Sequence, residues 1–167
     1  WCTPDLQLRV ERVRAGEERS FGRIVGGLRA YLAIGESART GITAERTHPH
    51  VIQCIRGPHD VGLHEIECEV TPQLNRVGIR LRPLRELRVD IPAGLRSIGM
   101  QCGTVQLHPD RTLVAMGPDH PVTGGYLQPM TAITSERWKL AQLKPGDRVI
   151  LKARERDRTD IPTAPPL

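Results

Sequence analysis

Aromatic residues are scarce in this chain: two Trp, two Tyr and one Phe make up 3% of its 167 positions. A hydrophobic core must therefore rest on Leu, Ile and Val, and such aliphatic side chains suit β structure. The same scarcity leaves little for nucleic-acid bases to stack on. Long apolar runs are missing too. No stretch approaches the roughly 20 residues of a membrane helix, and no signal-peptide pattern opens the chain. There is no CxxC pair, and Cys2, Cys54, Cys68 and Cys102 are widely spaced. Free buried thiols in a cytoplasmic protein are thus expected rather than a secreted disulfide framework. The chain begins with Trp1 rather than Met, which leaves its natural N-terminus open.

Charged residues make up 26% and apolar residues 38%, the balance of an ordinary globular protein of one domain or two small lobes. The net charge of +5 comes mostly from arginines, but acids interleave with them, as in Arg9, Glu11, Arg12 and in Arg85, Glu86, Arg88, Asp90. Solvated β faces explain this pattern better than a nucleic-acid surface. Attraction for a carboxylate or phosphorylated small molecule remains compatible with it.

Period-2 alternation with turn punctuation predicts strands at Leu6–Val13, Leu28–Ile34, His50–Ile55, His64–Thr71, Val77–Leu81, Leu87–Ile91, Thr104–Leu107, Thr112–Ala115, Met130–Thr134 and Arg148–Lys152. One helix is predicted, Ser135–Leu143, with Ser135 as its cap. Many short strands and one short helix imply an all-β barrel or sandwich. Residues 38–49 read as a loop or linker, and 154–167 as a flexible, Pro-rich tail. Val13-Arg-Ala-Gly-Glu17 and Leu143-Lys-Pro-Gly-Asp147 echo each other in residue type, each a tight turn before a strand.

The densest stretch is 99–126, where two short apolar strands are each followed by a loop rich in Pro, Gly and Asp. Its second loop, Pro121-Val-Thr-Gly-Gly-Tyr126, combines flexible backbone with a hydroxyl and an aromatic ring. Paired glycines permit close backbone approach, so the loop is either a ligand-binding element or a plain hairpin turn.

Five segments occur together in order: Gly27-Leu-Arg-Ala-Tyr-Leu-Ala-Ile34, Asn75-Arg-Val-Gly-Ile-Arg-Leu81, Gly103-Thr-Val-Gln-Leu-His-Pro-Asp110, Val122-Thr-Gly-Gly-Tyr126 and Leu140-Ala-Gln-Leu-Lys-Pro-Gly-Asp-Arg-Val149. In these the chain resembles the biotin-dependent carboxyltransferase family, which includes the C component of 5-oxoprolinase, allophanate hydrolase subunit 2 and the carboxyltransferase domain of urea carboxylase. The resemblance spans roughly residues 10–152. It implies a cyclophilin-like β-barrel at 50–153, preceded by a remnant of a first β lobe and linker at 1–49. Family members are longer, and their Thr-Thr-Gly-Gly-Tyr-Pro loop reads Val122-Thr-Gly-Gly-Tyr-Leu127 here.

The implied activity is that of the family's C-like component. It would serve either an ATP-dependent hydrolase opening 5-oxoproline to glutamate or a carboxyltransferase acting on a small ureido or amide substrate. The implied partners are the family's B-like component and, in the 5-oxoprolinase branch, its A-like component. Biotin or ATP would come through those partners, with no cofactor bound directly. Homo-oligomers remain compatible, because missing strands would leave barrel edges to pair.

Such chemistry must polarise an amide or ureido carbonyl. The N–H groups of Gly124 and Gly125 are candidate donors, with Thr123 and Tyr126 to orient the group. Gln106 alternates with Val105 and faces either the barrel lumen or the surface. Asp119 reads as a base or, preferably, as a loop brace, and Asp110 as a turn residue holding its own backbone. Arg76 and Arg80, four apart on one predicted strand, share a face that would suit a carboxylate, unless Glu67 or Glu69 takes them. Arg29 and Tyr31 read as strand packing.

Two alternatives stand beside this reading. His48, His50 and Cys54 open a cluster of His and Cys residues, which makes a metal-binding β domain conceivable, although the spacing fits no familiar finger. Cys102 and His120 are the residue types of a thiol nucleophile and its base, with nothing local to join them. A noncatalytic interaction protein of the same fold is the remaining alternative.

Overall fold

The structure is a computed structural model that describes residues 14–18 and 50–154. Alternating aliphatic residues form β1 (His50–Arg56), β2 (Glu65–Leu74), β3 (Gly78–Pro83), β4 (Ile98–Gly99), β5 (Thr104–Leu107), β6 (Leu113–Met116), β7 (Thr123–Gly124), β8 (Leu127–Ala132) and β9 (Arg148–Arg154). Seven of these close a barrel in the order β1-β8-β5-β6-β3-β2-β9, while β4 and β7 form a separate ribbon. An odd number of strands cannot alternate direction all the way round. One neighbouring pair must run parallel, and it is β1 with β9, in register from His50 opposite Val149 to Ile55 opposite Arg154. This is the all-β, cyclophilin-like barrel that the sequence implied.

Every second residue of the strands points inward. Ile52, Cys54, Cys68, Leu81, Val105, Leu107, Leu113, Ala115, Met130, Val149 and Leu151 are fully buried in one apolar cluster. Among the described residues no aromatic side chain belongs to that cluster, in keeping with the composition. Trp138 and Tyr126 both lie partly exposed.

Strand β5 is buried on both faces. Its inner residues Val105 and Leu107 fill the barrel. Its outer face is covered because of where the chain must travel. The chain leaves β6 at Met116, beside the start of β5, where the Gly103 N–H donates to Met116 O at 2.8 Å. It re-enters the barrel at Leu127, opposite Leu107 at the end of β5. The intervening residues cross the outside of β5, and there β7 pairs with β4, Ile98 opposite Gly124 and Gly99 opposite Thr123.

The β5–β8 ladder also carries a bulge. Val105 faces Met130 and Leu107 faces Leu127, so Gln128 and Pro129 together oppose Gln106. Pro129, which has no N–H to give, sits where the ladder is already interrupted. Its carbonyl accepts from Gly57 N–H at 2.7 Å.

The two echoing turns share one geometry. Lys144 O accepts from Asp147 N–H at 3.0 Å, and the Asp147 carboxylate accepts from Lys144 N–H at 2.8 Å. Arg14 and Glu17 repeat both bonds, at 3.1 and 3.0 Å. Gly146 and Gly16 take φ of 86° and 80°. That is the conformation a type II turn demands at its third residue.

Several expectations are corrected. Leu87–Ile91 forms no strand, since it has no ladder neighbour. The Arg111 guanidinium instead donates to the carbonyls of Leu87 and Val89, while both side chains are buried. Arg111 does so from the left-handed region, φ 64°. The predicted helix shrinks to a 3-10 turn at Thr134–Glu136 and α1 (Arg137–Leu140). Ser135 does not cap it. Glu136 holds the N-cap position without a side-chain capping bond, its carboxylate accepting from Gln53 N–H at 3.2 Å and Lys139 Nζ at 2.6 Å. Strand β8 begins at Leu127 rather than Met130, because Pro129 is tolerated in the bulge. The ribbon strands β4 and β7, two residues each, are too short to leave a periodic signal.

The chain divides into two compact units, Trp1–Thr47 and His48–Leu167. The strands expected at Leu6–Val13 and Leu28–Ile34, the 38–49 linker, Arg29, Tyr31 and the tail beyond residue 154 lie outside the described residues.

One substitution tests the β1–β8 junction. A Cβ on Gly57 would collide with the carbonyl oxygen of Gln128, a backbone atom with nowhere to go. Gly57→Ala is expected to destabilise the barrel by about 1–3 kcal/mol, the usual cost of overpacking. Urea unfolding at unchanged m-value checks this.

Candidate functional site

The 121–126 loop runs over the outside of β5, and its glycines are explained first by packing. A Cβ on Gly124 would collide with Gln106 Nε2 and lie 2.9 Å from Met100 Sδ. A Cβ on Gly125 would meet Leu95 O at 3.2 Å. The close approach expected of these glycines is thus made to the chain's own Gln106, Met100 and Leu95. Gly124 belongs to the ribbon ladder, and Gly125 stands just beyond it. Thr123 and Tyr126 are exposed at the loop's two ends.

Gln106 does not face the lumen. Its neighbours Val105 and Leu107 do, so its amide lies on the outer face, 3% exposed beneath the ribbon. There Nε2 donates to Met100 Sδ at 2.9 Å. Two positions on, the outer face of the same strand direction carries His108. Its ring stacks on Tyr126, centroids 4.1 Å apart and planes 24° from parallel. The adjoining pair Leu107–Leu127 accounts for this, because it sets His108 across from Tyr126.

Arg76 and Arg80 serve different loops. Arg76 precedes β3 and grips Asp119 through two bonds of 2.6 and 2.8 Å. Asp119 N–H donates to Arg76 O at 3.0 Å, which closes the bracket. Hydrogen bonds from Arg76 hold the Asp119 carboxyl below the ordinary carboxylate range, so it braces the loop and is a poor proton acceptor. Arg80, on β3, bonds Asp110 at 3.1 Å and Thr112 Oγ1 at 3.0 Å. Glu69 and Glu67 pair with Arg82 and Arg148 instead.

Asp110 accepts from the Thr112 hydroxyl at 2.7 Å and its N–H at 3.0 Å, holding its own turn as the sequence suggested. Those bonds, with Arg80 behind them, keep Asp110 ionised below the usual range. Burial pushes the His108 imidazole down from the ordinary 6.5, Arg80 adds to this, and Asp110 opposes it.

Among the described residues, two polar atoms on this face are buried without a partner: His108 Nε2 and Gln128 Nε2. Gln128 is 2% exposed. Its backbone is pinned by His59, whose Nδ1 accepts from Gln128 N–H at 3.0 Å and whose backbone N–H donates to Gln128 O at 3.3 Å. An accepting Nδ1 places that ring's proton on Nε2. Sequence reasoning passed over His108 and Gln128. The signal for His108 was its period-2 spacing from Gln106. Gln128 gave none, because its strand was expected to start later.

The other candidates are dispersed. Cys54 lies in the apolar cluster and its thiol donates to Ile52 O at 3.6 Å. His50 Nε2 lies 3.8 Å from the Asp147 carboxylate, and His48 is outside the described residues. Among the described residues no three His, Cys, Asp or Glu side chains are grouped as metal ligands. Cys102 Sγ contacts Met116 O at 3.8 Å and His120 Nδ1 donates to Pro121 O at 2.7 Å, so each is turned toward a backbone carbonyl.

A closed all-β barrel with a ribbon across one strand is the class this architecture defines. The sequence matches the family model described as carboxyltransferase domain, subdomain A and B, over residues 36–153. The chain belongs to that family, in agreement with the resemblance to biotin-dependent carboxyltransferases. Among solved structures, TTHA0988 superposes with a TM-score of 0.51 at 23% identity, over 71% of this chain and 24% of that one. Urea carboxylase of Kluyveromyces lactis gives a TM-score of 0.51 at 21% identity, over 67% of this chain and 11% of that one. The K. lactis urea amidolyase gives the same score and identity over 8% of its chain. This chain thus spans a quarter or less of each of these proteins, and the likeness to them is one of fold. No curated protein matches.

Two outcomes follow. Burial, with Glu136 and Glu67 respectively adding to it, pushes the thiols of Cys54 and Cys68 up to about 12. Iodoacetamide at pH 8 with peptide mapping should therefore label the half-buried Cys102 well ahead of both.

His108 binds its proton more readily unfolded than folded. Its contribution is thus complete above the ordinary 6.5 and is lost as pH falls from there through the lower folded value. Thermal midpoints taken from pH 7.5 to 5 should fall more steeply for the wild type than for His108→Phe, which keeps a ring against Tyr126.

Proposed function

We propose that this chain is the C-like component of an enzyme acting on a small amide or ureido substrate. The two candidate reactions are ATP-dependent opening of 5-oxoproline and carboxyl transfer to urea. Family membership over residues 36–153 is the observation that carries the reading. The rim formed by Tyr126 on His108 supports it, since both are polar rings at the exposed end of the ribbon.

In this reading the Tyr126 hydroxyl and the Gly125 N–H, which lies outside the ribbon ladder, polarise the substrate carbonyl, and Thr123 orients it. Gly124 contributes by letting the ribbon lie against Gln106. Arg76, Arg80 and Asp119 shape the surrounding loops through their ion pairs rather than binding a carboxylate. Gly124 and Gly125 pack on the chain's own Gln106, Met100 and Leu95. In this reading ATP and biotin arrive on the A-like and B-like partner proteins.

A noncatalytic interaction role is the second reading. It is favoured by the same ion pairs, which occupy Arg76, Arg80 and Asp119 with one another's loops.

Reconstitution decides between them. With the A-like and B-like partners present, turnover of 5-oxoproline with ATP, or of urea with carboxybiotin, is expected. Tyr126→Phe and Thr123→Val should each lower kcat/KM by about tenfold or more, as when a hydrogen bond to a reacting carbonyl is removed. Tight partner binding with no turnover of either substrate would establish the noncatalytic role.

A further inference from the structure

Residues 84–97 join β3 to β4, and the first half of this connection is a strand in all but pairing. Leu87 and Val89 are buried in the apolar cluster, while Glu86, Arg88 and Asp90 between and beside them are exposed. The carbonyls of Leu87 and Val89, two residues apart, both accept from Arg111 Nη1, the second at 3.1 Å. On the outward face the side chains of Glu86 and Arg88 approach to 4.0 Å. Burial, carbonyls and side chains thus all repeat every second residue, which is the geometry of extended backbone.

In such backbone the peptide groups of alternate residues address opposite edges. Arg111 occupies the edge of Leu87 and Val89, so Glu86, Arg88 and Asp90 turn theirs the other way. Among the described residues, the two bonds from Arg111 are the only hydrogen bonds to the backbone of 85–91. The side chains beside the open edge are bare: Glu86 is 75% exposed and Arg88 91%. The segment is nevertheless held in place. Leu84 N–H donates to Glu67 O at 2.9 Å, Leu87 and Val89 are anchored in the core, and Arg111 grips from its left-handed φ of 64°. A preorganised, unpaired strand edge is a template for another strand.

We propose that residues 85–90 pair antiparallel with the same segment of a second copy of this chain, about a two-fold axis at Leu87. Charge complementarity selects both the occupant and the register. With Leu87 opposite Leu87, Glu86 faces Arg88 of the other copy, and by symmetry Arg88 faces its Glu86. The two neighbouring registers set Glu86 against Glu86, or Arg88 against Arg88 and Glu86 against Asp90. A register centred on Val89 would match Arg88 with Asp90, but it places Glu86 opposite Pro92, which has no N–H to give. Charges on an exposed edge ordinarily keep strands apart. Here the sequence Glu86-Leu-Arg88 is its own complement, so the same charges that repel a slipped register hold the aligned one.

Sedimentation equilibrium of the full-length chain over a concentration series tests this. The mass should rise from the 18.6 kDa of one chain toward that of two, and fall back as salt is added. Glu86→Arg and Arg88→Glu each turn both cross-strand pairs into like charges and should weaken the dimer about tenfold or more. Both side chains are exposed, so unchanged thermal midpoints of the dilute variants certify that each still folds. Mixing the two variants is the decisive arm. One copy then carries Arg at 86 and 88 and the other Glu at both, so a heterodimer should form where neither variant pairs with itself. The double exchange, Glu86→Arg with Arg88→Glu, should likewise restore the homodimer. A chain that stays monomeric throughout the series, a dimer indifferent to both reversals, or a mixture that fails to associate would overturn the proposal.

Discussion

The parallel pairing of β1 with β9 is the constraint on which the rest of the molecule depends. Seven strands can close only if one junction runs parallel, and that junction joins the first strand of the barrel to its last. Closure removes both sheet edges and gives every alternate side chain an interior to enter. With almost no aromatic residues, Ile, Leu and Val fill most of it, joined by Cys54, Cys68, Ala115 and Met130. A closed interior then forces everything else outward, including the polar residues of β5 and β8.

What those strands carry outside would be solvent-facing in a plain barrel. Here the 117–126 return crosses β5, and the ribbon buries Gln106 beneath Gly124. Burial of a polar face in this way is costly unless every group finds a partner. Gln106 finds Met100 there, while the exposed Asp110 and Asp119 pair outside it with Thr112 and Arg80 and with Arg76. His108 and Gln128 are the exceptions, and they adjoin the Gly-Gly-Tyr loop that stands out in the sequence.

The particular residues show how far the sequence could be read. Turn chemistry was legible because it is local. Lys144-Pro-Gly-Asp147 and Arg14-Ala-Gly-Glu17 form the same turn, and Asp110 holds its own backbone as its position next to Pro109 suggested. The barrel strands were legible because period-2 burial is written residue by residue. The segment Leu87–Ile91 shows the limit: its apolar spacing is that of a strand, but its carbonyls go to a distant Arg111. Arg76 and Arg80 show it again, since their spacing implied one face and their partners lie in two different loops.

By itself the sequence determined the all-β class, the aliphatic core, the tight turns and the family. These depend on composition, alternation and short motifs, which act over a few residues. Only the tertiary structure decided which face of β5 is interior, that Gly124 is needed for packing on Gln106, and that His108 Nε2 and Gln128 Nε2 are each buried without a partner among the described residues. Each of those depends on the path of a return loop and on a one-residue bulge, and a shift of one residue in register exchanges the two faces of a strand.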